Sequence, residues 1–350
     1  MNKNNLKVAV VMGGISSEKE ISLESGRHIY NNLNREKYIV TPVFMDDDAK
    51  FWEIAENLVW MNTTKDIKNN LKSGGKRLFF EDLKKFDFIF LGLHGKYVED
   101  GCLQGLLEIL GIPYNGPGIL GSALGMNKYM QKYFFISAKL NIGKFEIIEK
   151  KKWNKNINNQ IEYLKNKIGY PCIVKPTREG CSTAVSKVKS NEDLKKAIDF
   201  ALKWDNEVLI EEDLSRGIEV TTTIIGNENP IALLPTETPK KGDFLTLEEK
   251  FLPGDAQMIT PPHLPAKDIK TIQEESIKAY KALGLKTYTR IDGFWKDKKL
   301  YILEPNTLPG VTPSTCVFHQ AAEAGMNASQ FFDKIIELSL EAHKDKIGPL

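Results

Sequence analysis

The chain has 350 residues, 41% hydrophobic and 27% charged, with 48 basic and 46 acidic side chains for a net charge of +2. At roughly 100–200 residues per domain this predicts two or three domains, with cores large enough to need no disulfide or metal staples. The near-neutral balance excludes a global attraction for nucleic acid or anionic membrane. The four cysteines, Cys102, Cys172, Cys181 and Cys316, show no metal-finger spacing, so free thiols in a reducing compartment are expected. The apolar stretch 8–12 is too short for a signal peptide or a membrane span, and no longer apolar run occurs, so a cytoplasmic protein is expected.

In chain order, residues 6–12 are β-rich and end at Gly13-Gly14. Ser17 and Glu20 then form a Ser-x-x-Glu pattern that predicts a capped helix from about residue 18. Strands are expected at 38–45 and 86–93 and a helix at 101–110, an alternation that argues for a parallel sheet covered by helices. The turn-rich run 112–118 marks a boundary. A helix is expected over 121–138 and a strand at 144–149, while Lys150-Lys151-Lys152 reads as a solvated loop. A helix at 157–168, a strand at 171–175, a polar loop at 177–183, a further strand, a helix at 191–203 and a strand at 207–212 complete a small α+β unit. The remainder alternates β segments at 218–225, 231–235, 288–295 and 300–304 with helices near 265–283 and 328–343. Between them lies 238–262, a long stretch rich in proline, glycine and charge, of the kind that serves as a lid.

Four blocks carry chemistry. In the first, Arg290-Ile291-Asp292 ends a strand pattern, and Glu304 and Asn306 follow on the next. Asp292, Glu304 and Asn306 are hard oxygen donors, the last two on one side of a strand. Such a set suits magnesium, which keeps waters and nucleotide phosphates in its shell. In the second, a strand delivers Lys175 into the loop Thr177-Arg178-Glu179-Gly180-Cys181-Ser182-Thr183. A lysine with loop amides and hydroxyls can cradle phosphate, although the Walker A ending is missing. In the third, Glu18 follows Gly13-Gly14 at a helix start, free to face a ligand if Glu20 serves the cap. In the fourth, His94-Gly95-Lys96 closes a strand pattern just before a helix, where open α/β sheets bind ligands.

In this order and at these separations the blocks resemble the D-alanine–D-alanine ligase family, of the ATP-grasp fold, over about residues 6–341. The resemblance implies an α/β chain, α+β in parts, of three domains: an N-terminal Rossmann-like substrate domain (1–117), a central small ATP-grasp domain (118–213) and a C-terminal ATP-grasp catalytic domain (214–350). It implies ATP-dependent joining of two D-alanine molecules through D-alanyl-phosphate for peptidoglycan precursors. Magnesium (two ions, with manganese as a substitute) would be the metal, and a homodimer the common assembly. Carried over residue by residue, Lys128 and Lys175 would hold ATP phosphates under the loop with Cys181 and Ser182, and Lys250 would approach the γ-phosphate. Glu211 and Leu214 would meet the base, and Glu219 the ribose. Asp292, Glu304 and Asn306 would bind the metals, and Glu18 the first substrate's ammonium. Arg290 and the Gly310 amide would stabilise an oxyanion, with His94, Ser314, Thr315 and Cys316 binding substrate.

Three departures stand out: Cys181 where the family usually has serine, Phe251 where it has tyrosine, and Thr315-Cys316 where Ser-Leu is commoner. A thiol is a weak donor and phenylalanine has none. Glu18 therefore loses partners, and the acceptor stays open among D-alanine, D-lactate and D-serine. An ATP-binding protein without ligase turnover and a carboxylase of the same fold are the remaining alternatives.

Overall fold

The computed structural model describes residues 5–180, 183–239 and 258–346. Strand β1 (Leu6–Gly13) is an apolar run buried from Val8 onward, as a central strand covered on both faces requires. Helix α1 (Lys19–Asn32) follows, with Glu18 as its N-cap and no side-chain cap. The expected Ser17/Glu20 capping box does not form: the Glu20 carboxylate accepts from the Thr64 amide (3.1 Å) and hydroxyl instead, and Ser16 Oγ accepts from the Glu18 amide (3.1 Å). A reciprocal box does form at Thr63 and Asp66, further along. Strand β2 (Tyr38–Met45) ends at Asp46, whose carboxylate accepts from the Asp48 and Lys50 amides (2.9 Å each) and turns the chain back. That turn produces β3 (Phe51–Ile54), then α2 (Glu56–Val59), α3 (Thr64–Gly74), β4 (Gly75–Leu78) and β5 (Phe88–Leu91). The strand order is β4-β3-β2-β1-β5. Strands β1, β2 and β5 are parallel, but β3 and β4 add an antiparallel edge that the parallel-sheet expectation lacked.

Helix α4 (Cys102–Leu110) lies between left-handed Gly101 and Gly111. The single helix expected over 121–138 is two, α5 (Ile119–Met126) and α6 (Lys128–Ser137). Asn127 breaks it: its extended backbone turns the chain, and its side chain accepts from the Tyr129 and Met130 amides as an N-cap. The Lys128 amide then donates to Thr177 O (3.0 Å).

Strand β6 (Phe145–Glu149) leads into α7 (Lys150–Lys155), so the three lysines read as a loop open a short helix, anchored by the buried Trp153. Then come α8 (Ile157–Lys167), β7 (Cys172–Pro176), β8 (Ser186–Val188), α9 (Asn191–Ala201) and β9 (Glu207–Glu212), making an antiparallel sheet of order β6-β9-β7-β8.

The third sheet holds β10 (Ile218–Ile225), β11 (Ile231–Ala232), β12 (Thr236–Glu237), β13 (Tyr288–Lys296) and β14 (Lys299–Asn306), in the order β11-β10-β13-β14 with β12 also on β10. Of the strand expected at 231–235 only Ile231–Ala232 forms, and the second short piece, β12, begins just past that range. Helix α10 (Ala266–Ala282) covers this sheet. Helices α11 (Cys316–Glu323), which the sequence reading missed, and α12 (Ala328–Lys346) close the chain. Between β13 and β14 the register slips: Asp292 opposes Glu304 but Gly293 opposes Ile302, which leaves Leu303 as a bulge.

The buried apolar residues fall into three cores. The first joins the N-terminal sheet to α11 and α12 through Val317, Phe331, Phe332 and Ile335. The second belongs to the β6–β9 sheet and its helices, with Trp153, Val174, Ile198 and Ile210. The third packs α6 and α10 on the last sheet, through Phe135, Tyr280, Ile291 and Ile302. Among the described residues, no helix is long and apolar enough to cross a membrane.

Candidate active site

A cavity of about 130 Å³ opens between the β6–β9 sheet and the last sheet. Ile173, Leu214, Leu303 and Phe294 supply apolar walls, and Lys128, Lys175, Glu211, Glu219, Asp292 and Glu304 supply the polar ones. Residues picked from separate stretches of sequence therefore meet around one space.

The charges are organised by pairing. Lys175 comes from β7 and Glu211 from the adjacent β9, with Lys175 Nζ 2.6 Å from Glu211 Oε1. The other oxygen, Oε2, is 3.1 Å from Lys132 Nζ, which also donates to Leu303 O (3.2 Å). Lys128 Nζ is 3.3 Å and Lys175 Nζ 3.7 Å from Glu304 Oε2, and Lys128 Nζ donates to Glu179 O (2.7 Å). Isolated buried charges would be prohibitive, so this mutual neutralisation is what lets the cluster fold. Burial alone would raise the Glu211 pKa, but Lys132 and Lys175 outweigh it and hold the carboxyl below its usual range. Burial opposes the Lys175 ammonium too, yet Glu211 and Glu304 push its pKa up to about 12. Burial lowers the Lys132 pKa, with Glu211 pulling the other way. Sequence reasoning missed Lys132. The available signal was its spacing of one helical turn from Lys128, which puts both on one face of α6.

On the last sheet, Arg290 grips Asp292 bidentately, Nε to Oδ1 at 2.8 Å and Nη2 to Oδ2 at 2.7 Å, and the Thr221 hydroxyl also donates to Asp292. Across the ladder Arg290 opposes Asn306 as Asp292 opposes Glu304. With its amide turned to satisfy both neighbours, Asn306 accepts from Arg290 Nη2 (3.3 Å) and donates to Leu308 O (3.3 Å). All three expected metal ligands thus sit within one strand pair, two of them directly opposed.

On the N-terminal side Glu18 is buried, wedged between two glycines. A Cβ on Gly180 would lie 2.4 Å from Glu18 Oε1, and one on Gly95 3.0 Å away, so both positions approach Glu18 this closely only because they lack side chains. His94 Nδ1 is 2.9 Å from Leu308 O and Nε2 is 2.7 Å from Ser25 Oγ. A carbonyl only accepts, so Nδ1 carries the proton and Nε2 accepts from Ser25. Ser25 Oγ in turn accepts from the Val311 amide (3.4 Å). Both His94 nitrogens are therefore spent on protein, and the ring fixes the segment 308–311 that holds the buried Gly310. Thr315 caps α11, with its hydroxyl on Thr312 O (2.8 Å), and Cys316 is the first residue of that helix, its thiol pKa pushed up by burial against the opposing pull of Arg290. Ser314 lies partly buried beside them. Cys181, Ser182, Lys250 and Phe251 lie outside the described residues, and so does most of the expected lid.

Two solved structures are similar throughout. The VanG D-Ala:D-Ser ligase from Enterococcus faecalis matches with a TM-score of 0.83 and 28% identity over 96% of this chain and 100% of its own. A D-alanine–D-alanine ligase from Bacillus anthracis, complexed with ATP, matches with a TM-score of 0.75 and 29% identity over 98% and 100%. With this fold and this cavity, the chain is an ATP-dependent ligase of the ATP-grasp class. The family models described as D-ala D-ala ligase N-terminus and C-terminus match residues 7–117 and 134–337. The D-alanine–D-alanine ligase of Geobacillus thermodenitrificans is 33% identical over 97% of each chain. The chain belongs to the D-alanine–D-alanine ligase family.

Proposed function

We propose that this cleft joins two D-alanine molecules into D-alanyl-D-alanine, with ATP converted to ADP and phosphate through a D-alanyl-phosphate. The observation that carries the site assignment is the convergence of Lys128, Lys175, Asp292 and Glu304 on one cavity between two sheets. The adenine lies between Ile173, Leu214, Leu303 and Phe294 with Glu211 at its edge, and Glu219 takes the ribose. Lys128 and Lys175 hold phosphates, with Lys250 at the γ end. Asp292, Glu304 and Asn306 form a hard oxygen set that fits two magnesium ions, or manganese. The metal, when bound, neutralises the charge of the transferring phosphoryl group. The carboxylates are held meanwhile by Arg290 and the lysines, and nucleotide binding exchanges these partners.

Glu18 holds the first D-alanine by its ammonium, so that its carboxylate attacks the γ-phosphorus. Positioning and charge neutralisation dominate that step. The second amine attacks the acyl carbon, and Arg290 with the Gly310 amide receives the oxyanion. The N-terminus of α11, with Ser314, Thr315 and Cys316, takes the second carboxylate, where the helix dipole favours an anion. The loop with Cys181 and Ser182 seats through Gly180 on Glu18 and keeps water from the acyl-phosphate. A cytoplasmic homodimer supplying peptidoglycan precursors completes the proposal.

The test is a competition assay with ATP, magnesium, D-alanine and equimolar D-lactate and D-serine, with products read by mass spectrometry at two pH values. D-alanyl-D-alanine is expected to dominate at both. Dominance of D-alanyl-D-lactate or of D-alanyl-D-serine would reassign the acceptor. No consumption of D-alanine would end the substrate claim.

A further inference from the structure

Helix α6 carries two lysines on its inner face: Lys128 lines the cavity and has a part in the reaction above, whereas Lys132 lies behind the cavity wall. Lys128 reaches the phosphate end. Lys132 is 1% exposed and reaches two other groups, Glu211 Oε2 (3.1 Å) and Leu303 O (3.2 Å). Both are telling. Leu303 is the bulged residue between β13 and β14, where the ladder is locally disrupted, and its carbonyl accepts from Lys132. Its side chain forms a wall of the cavity. Glu211 spends its other oxygen on Lys175 (2.6 Å), which is also the phosphate lysine. A triphosphate draws Lys175 toward itself, and a buried carboxylate left without any cation would be strongly disfavoured. Lys132 remains, so Glu211 stays ionised while its Oε1 is released into the cavity.

We propose that Lys132 is a positioning residue for base recognition: it holds Glu211 by one oxygen and the Leu303 bulge by its carbonyl, so that the other Glu211 oxygen accepts from the 6-amino group of adenine and repels a 6-oxo purine. The inference rests on the reading that Glu211 edges the base. Lys132 touches no substrate; it acts through Glu211 and Leu303.

The experiment compares kcat/KM for ATP with that for inosine triphosphate in the wild type, Lys132→Met and Glu211→Gln, with folding checked by circular dichroism. The wild type prefers ATP. Lys132→Met is expected to reduce that preference at least about tenfold, since a mis-set hydrogen-bonding edge discriminates poorly. The loss appears mainly in KM for ATP, with KM for D-alanine unchanged, which a general loosening of the fold would not produce. If Glu211→Gln lowers the preference and Lys132→Met does not, the positioning role is overturned. If neither variant lowers it, the base reading itself falls. Should Lys132→Met not fold, Lys132→Gln, which keeps a donor without the charge, is read in its place with the same two outcomes.

Discussion

The two ends of the cavity are both built from ion pairs, but they differ in wetness. At the base end, the side chains of Lys132, Glu211 and Lys175 are 1%, 5% and 9% exposed. At the metal end, Arg290, Asp292 and Glu304 are 18%, 19% and 33% exposed. Leaving a buried charge uncompensated is costly in a dry site, so the Lys132–Glu211 pair behaves as fixed scaffold even when a phosphate takes Lys175. In partial contact with water a carboxylate can trade one cation for another at little cost. The same chemical pairing thus serves as framework at one end and as a placeholder for ligand at the other.

The contrast can be broken most directly at the metal end. Asp292→Asn and Glu304→Gln are each expected to lower turnover by at least about 10²–10³-fold while circular dichroism stays native. Near-normal rates in both would remove the metal assignment. Arg290→Lys keeps a charge but loses the two-pronged grip on Asp292, so kcat is expected to fall about 10²-fold with a smaller change in KM for ATP. An effect confined to KM would move Arg290 out of the acyl-transfer step.

Backbone placement sharpens the comparison further. A Cβ on Gly125 would stand 2.2 Å from Thr307 Cγ2, next to Asn306. Gly125→Ala is expected to cost about 1–3 kcal/mol in urea unfolding, with part of it recovered by adding Thr307→Ser, which removes the methyl. No recovery would mean that the strain lies elsewhere.

The smallest effect is expected at the root of the polar loop. Asp205 accepts from Thr177 Oγ1 (2.7 Å), the Arg178 amide (3.0 Å) and the Arg178 guanidinium. Burial raises its pKa, but Arg178 and Thr177 outweigh burial and hold the carboxyl below its usual value. The folded pKa lies below the unfolded one, so the stabilisation is complete above about pH 4 and drains away as pH falls through the folded value. Asp205→Asn is expected to lose about 1 kcal/mol at neutral pH, with the deficit shrinking in acid. A deficit that holds constant from pH 6 to pH 2 would contradict this.

Much of the architecture was legible because its elements are periodic and locally signalled. Strand β1, helix α1 and the strands carrying Lys175, Glu211 and Asp292 all follow from alternation or apolar runs. Other features depend on distant partners. Ser17 and Glu20 spell a capping box, but Thr64, far along the chain, offers Glu20 a better donor. Asn127 looked like one more residue of a long helix, and only its cap to Tyr129 and Met130 shows the break. Strands β3 and β4 follow a turn set by one aspartate side chain. Lys132 reads as a surface lysine, and nothing local announces that a bulge on β14 waits for its ammonium. His94 was expected to touch substrate, whereas both its nitrogens hold protein.

The partition of the cores has a mechanical consequence. The N-terminal sheet and helices α11 and α12 share one apolar interior, so they cannot part without wetting it. The β6–β9 sheet keeps an interior of its own. Its contacts with the rest include the Lys128 amide on Thr177 O, the lysine bridges to Glu211 and Glu304, Gly180 resting on Glu18, and the Phe145 ring against Tyr129 and Tyr133. That sheet can therefore shift against the rest without opening either core. In the function proposed above, the amino acids would bind against the N-terminal side and the nucleotide would fill the seam. A shift there would loosen the nucleotide's grip and lift Gly180 from Glu18, while the apolar interior behind the amino-acid pocket stays closed.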